Sequence, residues 1–254
     1  MHKRNAGLCI ALILGVFVLN GCKKFDKQGF LPQAGIAMTF DDNYVDNWIK
    51  YLPFLDSSGI KATFYISNYN RLNARQIQDL HIIQNHGHEI AYHTVNHYNM
   101  VDYVYKYRHS VEDLMQKEIV AGLKMMNKDG FYPTTFAFPG GTHCDAIDES
   151  LKHYFKSVRA LNGTFNYAKS LAATDNNYML YGFSLDKSSK QKDVTVEHLL
   201  ESAKSNNTCA VLLTHIINVP SSQLSTSLDR LKKVVATAKR LDLKFYTISE
   251  ISKK

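Results

Sequence analysis

Four short apolar runs in this 254-residue chain each end abruptly in residues that resist burial. Gly35-Ile36-Ala37-Met38 leads into Thr39-Phe40-Asp41-Asp42. Later runs lead into His93-Thr94-Val95-Asn96-His97, into Phe138-Pro139-Gly140-Gly141 and into Leu213-Thr214-His215. A strand covered on both faces reads as a short continuous apolar run. Ionised carboxylates cannot cheaply continue inside such a core. Asp41 and Asp42 therefore belong where the first strand surfaces. Adjacent carboxylates also resist joint ionisation unless a cation shares their site. A lone Asp-Asp is an acidic turn; the other strand ends give this one a second reading, as part of a site.

Between the apolar runs lie helical stripes. Strands are expected at 36–40, 62–66, 89–93, 134–138, 157–161, 181–185, 209–214 and 244–248. Helices are expected at 45–55, 74–85, 110–126, 146–154, 194–204 and 224–240, from apolar residues recurring every three or four positions. Pro53 falls inside the first helix and predicts an end or kink there. Ser110 opens the third, with Asp113 as a capping partner. Residues 165–192 show no clear organisation. Alternation of this kind predicts an α/β fold with a parallel sheet. Seven or eight strands in so few residues suit a closed or nearly closed barrel. Hydrophobic residues at 45% suffice for a core, and no internal boundary stands out after residue 33.

The first 22 residues read as a targeting segment. His2, Lys3 and Arg4 precede an uncharged run, Leu8 to Leu19, shorter than a spanning helix needs. Leu19-Asn20-Gly21-Cys22 resembles a bacterial lipobox, with Asn20 a departure from it. That resemblance implies lipid attachment at Cys22, removal of what precedes it, a tether over 23–33, and a domain over 34–254. An ordinary secretory signal cut nearby is the alternative. Export to the cell envelope and anchoring to a membrane follow from the lipobox reading. Lys23 after the cysteine lacks the aspartate of inner-membrane retention. Cleavage removes two positive charges and no acid, which takes the formal charge from +7 to +5. That excess suits a solvated basic surface, or anionic glycans and headgroups. No nucleic-acid motif is present, and a monomer is expected. An exported protein could pair Cys144 with Cys209, but nothing in the sequence brings the two together and neither has metal-like spacing, so both are expected to stay free.

From about Gly35 to Ile251 the chain resembles the polysaccharide deacetylase (NodB-homology) domain of carbohydrate esterase family 4. The resemblance rests on Thr-Phe-Asp-Asp (39–42), Gly-His-Glu-Ile-Ala-Tyr-His-Thr-Val-Asn-His (87–97), Phe-Ala-Phe-Pro-Gly-Gly (136–141), Leu-Thr-His (213–215) and the closing Leu-Lys-Phe-Tyr-Thr-Ile-Ser-Glu-Ile (243–251), in that order. It implies a distorted (β/α) barrel of about seven parallel strands, a divalent metal (usually zinc, with cobalt or nickel as alternatives) and removal of acetyl groups from a glycan. Read from the residues alone, His93 and His97 are four apart and share a face on a helical turn. With one carboxylate they make three ligands and leave a coordination position open.

The resemblance assigns Asp42 with His93 and His97 to the metal, Asp41 as general base and His215 as general acid. It puts Leu213 against the acetyl methyl and the Gly140 N–H at the oxyanion. Asn43 stands where the family usually has glycine, at a position suited to a positive φ. Ala137 stands where the family commonly has an arginine that orients the catalytic aspartate; Arg159 is the candidate to supply that cation. The family's Asp-Trp pair beside the catalytic histidine has no clear match, and the only tryptophan is Trp48. Asp186 is the candidate to tune His215, and Tyr92, Tyr98, Tyr181 or Phe183 to form the apolar wall. An N-acetyl glycan such as peptidoglycan or a poly-N-acetylglucosamine-like polymer is the expected substrate. O-acetyl ester hydrolysis and a non-catalytic glycan-binding lipoprotein are the rivals.

Overall fold

The computed structural model describes residues 33–163, 167–172 and 177–252. The expected signal, Cys22 and nearly all of the tether lie outside these residues. Seven parallel strands close into a barrel: β1 (Gly35–Asp42), β2 (Ala62–Ile66), β3 (Glu89–Tyr92), β4 (Thr135–Ala137), β5 (Ser157–Leu161), β6 (Met179–Ser184) and β7 (Cys209–Thr214). Closure comes from β1, whose Phe40 sits opposite Phe64 of β2 on one side and Thr214 of β7 on the other.

Strand alternation separates two cores. Ile36, Met38, Phe40, Phe64, Tyr92 and Leu212 point outward and pack under the helices. Ala37, Tyr65, Ala91, Ala137, Leu180 and Val211 point into the barrel. Small alanines suit the narrow interior of a seven-stranded barrel. Phe40, Phe64 and Trp48 cluster in the outer layer, with Trp48 and Phe64 ring centroids 5.0 Å apart. Burial of each such side chain is worth about 1.5–3 kcal/mol.

The helices are α1 (Val45–Ser57), α2 (Ala74–Asn85), α3 (111–128), α4 (Asp145–Leu151), α5 (Asp193–Asn206), α6 (Leu228–Arg240) and α7 (Ile248–Ile251). Asn73 and Gln76 form a full capping box on α2, and the Ser110 hydroxyl accepts the Asp113 N–H at the start of α3. Within α3, Gly122 leaves room for Tyr92: a Cβ there would lie 1.8 Å from the tyrosine oxygen. No described helix is long and apolar enough to cross a membrane.

Several elements depart from expectation. α1 runs through Pro53 to Ser57, because the proline lies on the exposed face, one turn from the end. Residues 225–226 pair with 216–217 as a short two-stranded unit, and Ser227 then caps α6, so that helix starts four residues late. At the C-terminus only Lys244–Phe245 join the barrel, beside Gly35 and Ile36. Thr247 and Glu250 form a capping box that turns the chain into α7. Tyr246, Ile248 and Ile251 then close the barrel interior from below. In the stretch without sequence organisation, Leu171–Ala172 pair antiparallel with the start of β7, and β6 begins two residues before its predicted start.

Candidate active site

The C-terminal ends of β1, β3, β5 and β7 converge on one cleft. Asp41 and Asp42 sit at the end of β1, and a left-handed backbone at Asp42 (φ 80°) splits their directions. The positive φ thus falls on Asp42; Asn43 is not left-handed, which corrects the expectation for that position. Aspartate tolerates this conformation better than most side chains.

Asp41 turns into the barrel and is 3% exposed. Arg159 of β5, 1% exposed, reaches across the interior, and its Nη2 donates to both Asp41 carboxylate oxygens. The guanidinium lies 5.2 Å from the Tyr65 ring centroid, over its face. Burial works against the charged carboxylate, but Arg159, His93 and His215 outweigh it, and the Asp41 pKa falls below its ordinary value. Asp42 goes the other way: burial, aided by the Asp41 charge, raises its pKa despite His215 and His97.

His93 follows β3. Its Nδ1 donates to the Ala137 carbonyl at 2.7 Å, which leaves Nε2 as the free lone pair, 3.8 Å from Asp42 Oδ1. The backbone of Ala137, the position without an arginine, thus fixes the His93 ring. Burial lowers the His93 pKa to about 3, so the ring stays neutral. His97 Nε2 lies 3.2 Å from the same Asp42 oxygen. These residues form a loop rather than the helical turn expected from the spacing: Thr94 and His97 are both left-handed, at φ 69° and 58°. The Thr94 hydroxyl accepts the His97 N–H, and the Glu118 carboxylate of α3 accepts both the Asn96 N–H and its side-chain amide. Left-handed non-glycine residues cost of order 1–3 kcal/mol each and persist where the surroundings fix them. One ligand atom from each of Asp42, His93 and His97 lies within 4.8 Å of the others. A carboxylate oxygen and two imidazole nitrogens are a donor set that fits a divalent transition metal.

His215 follows β7. Its Nδ1 bonds Asp186 Oδ2 at 2.6 Å, and its Nε2 points at Asp42 Oδ2, 3.9 Å away. Asp186 is itself fixed by the Thr214 hydroxyl at 2.6 Å. Burial opposes the charged ring, but the Asp186 bond and the charges of Asp41, Asp186 and Asp42 win, and the His215 pKa rises. Leu213, Phe183 and Leu161 border a cleft of about 390 Å³ that opens onto His215. Gly140 has φ 64° and open space where a Cβ would sit, as a backbone approached by a ligand requires.

Other expectations fare differently. The Tyr92 hydroxyl donates to the Glu118 carbonyl, and its ring packs on Phe155 in the outer layer, so it forms no pocket wall. Tyr181 lies near His143, at 6.1 Å, and Tyr98 lies beside His97 in a separate groove. Cys144 and Cys209 are both free. Trp48, the chain's one tryptophan, packs in the outer core and donates from Nε1 to the His215 carbonyl at 2.7 Å, a role that sequence reasoning missed. Glu118 escaped notice altogether. Its signal was a glutamate beside Met115 and Ile119 on the apolar stripe of α3.

A seven-stranded barrel with paired carboxylates, two imidazoles and a His–Asp pair at its strand ends defines a hydrolase-type site. The chain belongs to the polysaccharide deacetylase family, whose sequence profile matches residues 30–156, half its length. No curated protein matches it. Among solved structures it is similar to a peptidoglycan N-acetylglucosamine deacetylase, with 19% identity over 89% of this chain and 93% of that one and a TM-score of 0.60. The esterase domain of a multidomain xylanase from the hindgut metagenome of Trinervitermes trinervoides matches at 17% identity, covering 86% and 89%, with a TM-score of 0.58. A family 4 carbohydrate esterase from Streptomyces lividans, in complex with acetate, matches at 15%, covering 85% and 94%, with a TM-score of 0.56. At these identities the likeness is one of fold.

Proposed function

We propose that this chain is a metal-dependent deacetylase that removes N-acetyl groups from an envelope or exported glycan, peptidoglycan or a poly-N-acetylglucosamine-like polymer. One observation carries the reading: Asp41, held by Arg159, and His215, held by Asp186, flank the Asp42–His93–His97 cluster. Asp42, His93 and His97 would hold a divalent ion, zinc first, with cobalt or nickel as alternatives. Such an ion, when bound, polarises an acetyl carbonyl and lowers the pKa of a water to ~7.

Asp41 takes the proton of the attacking water. Its depressed pKa makes it a weak base, so it suits a water that is already acidified. The Gly140 N–H donates to the oxyanion of the tetrahedral intermediate. Leu213 packs against the acetyl methyl. His215 Nε2 protonates the departing nitrogen while Asp186 holds the other edge of the ring. An amine leaves only once protonated, whereas a sugar oxygen needs less help, so the amide reading leans on His215 more than an ester reading does. By the lipobox reading, Cys22 carries lipid and the protein works as an envelope-anchored monomer.

The test is acetate release by the purified full chain from N-acetylglucosamine oligomers and from O-acetylated xylan oligomers, with added zinc or cobalt. Metal-dependent release from the amide, lost in Asp42→Ala, is the expected result. Release from the ester alone would make the chain an esterase. No release from either, with zinc still bound, would favour the non-catalytic glycan-binding lipoprotein.

A further inference from the structure

The His215 ring and the backbone that carries it are fixed by different parts of the molecule. Asp186 holds the ring by Nδ1. The backbone is held by the first turn of α1, which begins at Val45, just past Asp42, and faces the chain that leaves β7. Trp48 Nε1 donates to the His215 carbonyl at 2.7 Å. Beside it, the Asn47 side chain takes both backbone groups of Ile217. Its Nδ2 donates to the Ile217 carbonyl at 3.0 Å, and its Oδ1 accepts the Ile217 N–H at 2.8 Å.

The ladder on the other edge of this segment explains why an amide stands here. Ile216 and Ile217 pair parallel with Ser225 and Thr226. That pairing uses the N–H of Ile216, which donates to the Leu224 carbonyl, and the N–H of Asn218, which donates to the Thr226 carbonyl. Strand alternation turns the N–H and carbonyl of Ile217 the other way, toward α1. Ile217 is fully buried, so both groups need partners. A carboxamide carries the donor and the acceptor of a peptide group, and Asn47 thus stands in for a neighbouring strand. Aspartate has the same shape but no donor, and it would set a carboxylate against the Ile217 carbonyl. The pairing joins positions 170 residues apart, on the two segments that bring His215 Nε2 to 3.9 Å from Asp42 Oδ2.

We infer that Asn47 is a positioning residue: its pairing with Ile217 ties the chain just past His215 to the chain just past Asp42, and so sets the reach of the His215 ring to a substrate at the Asp42–His93–His97 cluster. The inference rests on the deacetylase reading for the role of His215. A catalytic group misplaced by about 1 Å costs on the order of 100-fold. A displaced acid hurts only a leaving group that must be protonated. In Asn47→Ala and Asn47→Asp, kcat/KM of the full chain for an N-acetylglucosamine pentamer should therefore fall about 30- to 100-fold, through kcat. Hydrolysis of 4-nitrophenyl acetate, whose phenolate leaves without a proton, should stay within about threefold of wild type. Zinc affinity, read by competition with a chelator, should stay at the wild-type value, because the three ligand side chains are untouched. Asn47→Asp puts a negative charge in the first turn of α1, which favours the helix, and so provides a folded variant where Asn47→Ala melts too early. Equal losses on both substrates would overturn the inference, and so would full amide turnover in a folded variant. Exchange of the Ile217 amide with deuterated solvent needs neither metal nor turnover. It should be slow in the wild type and faster in Asn47→Ala. Fast exchange at Ile217 in the wild type would overturn the pairing whatever the chain hydrolyses. Slow exchange there, with no acetate released from either substrate, would sink the deacetylase reading and leave the tie between the two segments standing.

Discussion

Asp41 and Asp42 are chain neighbours with opposite electrostatics. A single left-handed residue sends one carboxylate inward to an arginine and the other outward to two imidazoles. Environments that push the pKa values of a pair apart are how one site supplies different roles. The same logic applies to His215, where burial alone would favour the neutral ring and Asp186 is the strongest opposing partner. A general acid must be protonated, so activity is lost as pH rises through the pKa of the acid. Asp186→Asn removes the partner charge and lowers that pKa. The alkaline limb of the kcat/KM profile for an N-acetyl substrate should therefore move to lower pH, with a loss on the order of 100-fold at its optimum. An alkaline limb that stays in place would remove Asp186 from this role.

At the scale of elements, the site is a set of strand ends pinned by the layer behind them. Strand β3 delivers His93 directly, but His97 depends on a strained loop clamped by Glu118 of α3. Glu118→Ala leaves the ligands in place and frees the loop, so zinc affinity measured by competition with a chelator should fall 10- to 100-fold, in the range seen for such supporting contacts. Unchanged affinity would mean that the loop holds its shape without the clamp. This element also shows what sequence can carry. Strand ends were legible because an apolar run that stops at Asp, His or Gly has few places to go, and β5 and β7 fall where the runs predicted. The His93–His97 spacing predicted that the two rings share a site with Asp42, which the structure shows, but through the wrong conformation, since spacing does not distinguish a helical turn from a left-handed loop. Glu118 and Trp48 were hidden because their roles are backbone contacts across more than 20 and 160 residues. A glutamate on an apolar stripe signals that Glu118 has a buried partner, but nothing local in a sequence says which partner. The last strand failed for a different reason: Thr247 and Glu250 form a legible capping box whose helix signal competes with an apolar strand pattern.

At the scale of the molecule, closure of the barrel turns distant segments into one site. β1 and β7 pair directly, and Arg159 spans the interior from β5 to the end of β1. The Asp42–His93–His97 cluster in turn joins the end of β1 to the end of β3, with β2 lying between them. An unfolded chain offers no such arrangement, so an ion bound there stabilises only the native state. At a free concentration 100 times Kd, that linkage contributes about 2.7 kcal/mol. For a chain of this size each kcal/mol shifts Tm by about 2–4 °C, so saturating zinc should raise Tm by roughly 5–10 °C. Magnesium at the same concentration should not, because it disfavours imidazole nitrogen. Chelation should reverse the shift, and Asp42→Ala should abolish it. A zinc-dependent rise of equal size in Asp42→Ala would show that the ion binds elsewhere, among the chain's other histidines. A rise confined to the wild type would tie the stability of the whole barrel to three side chains at its mouth.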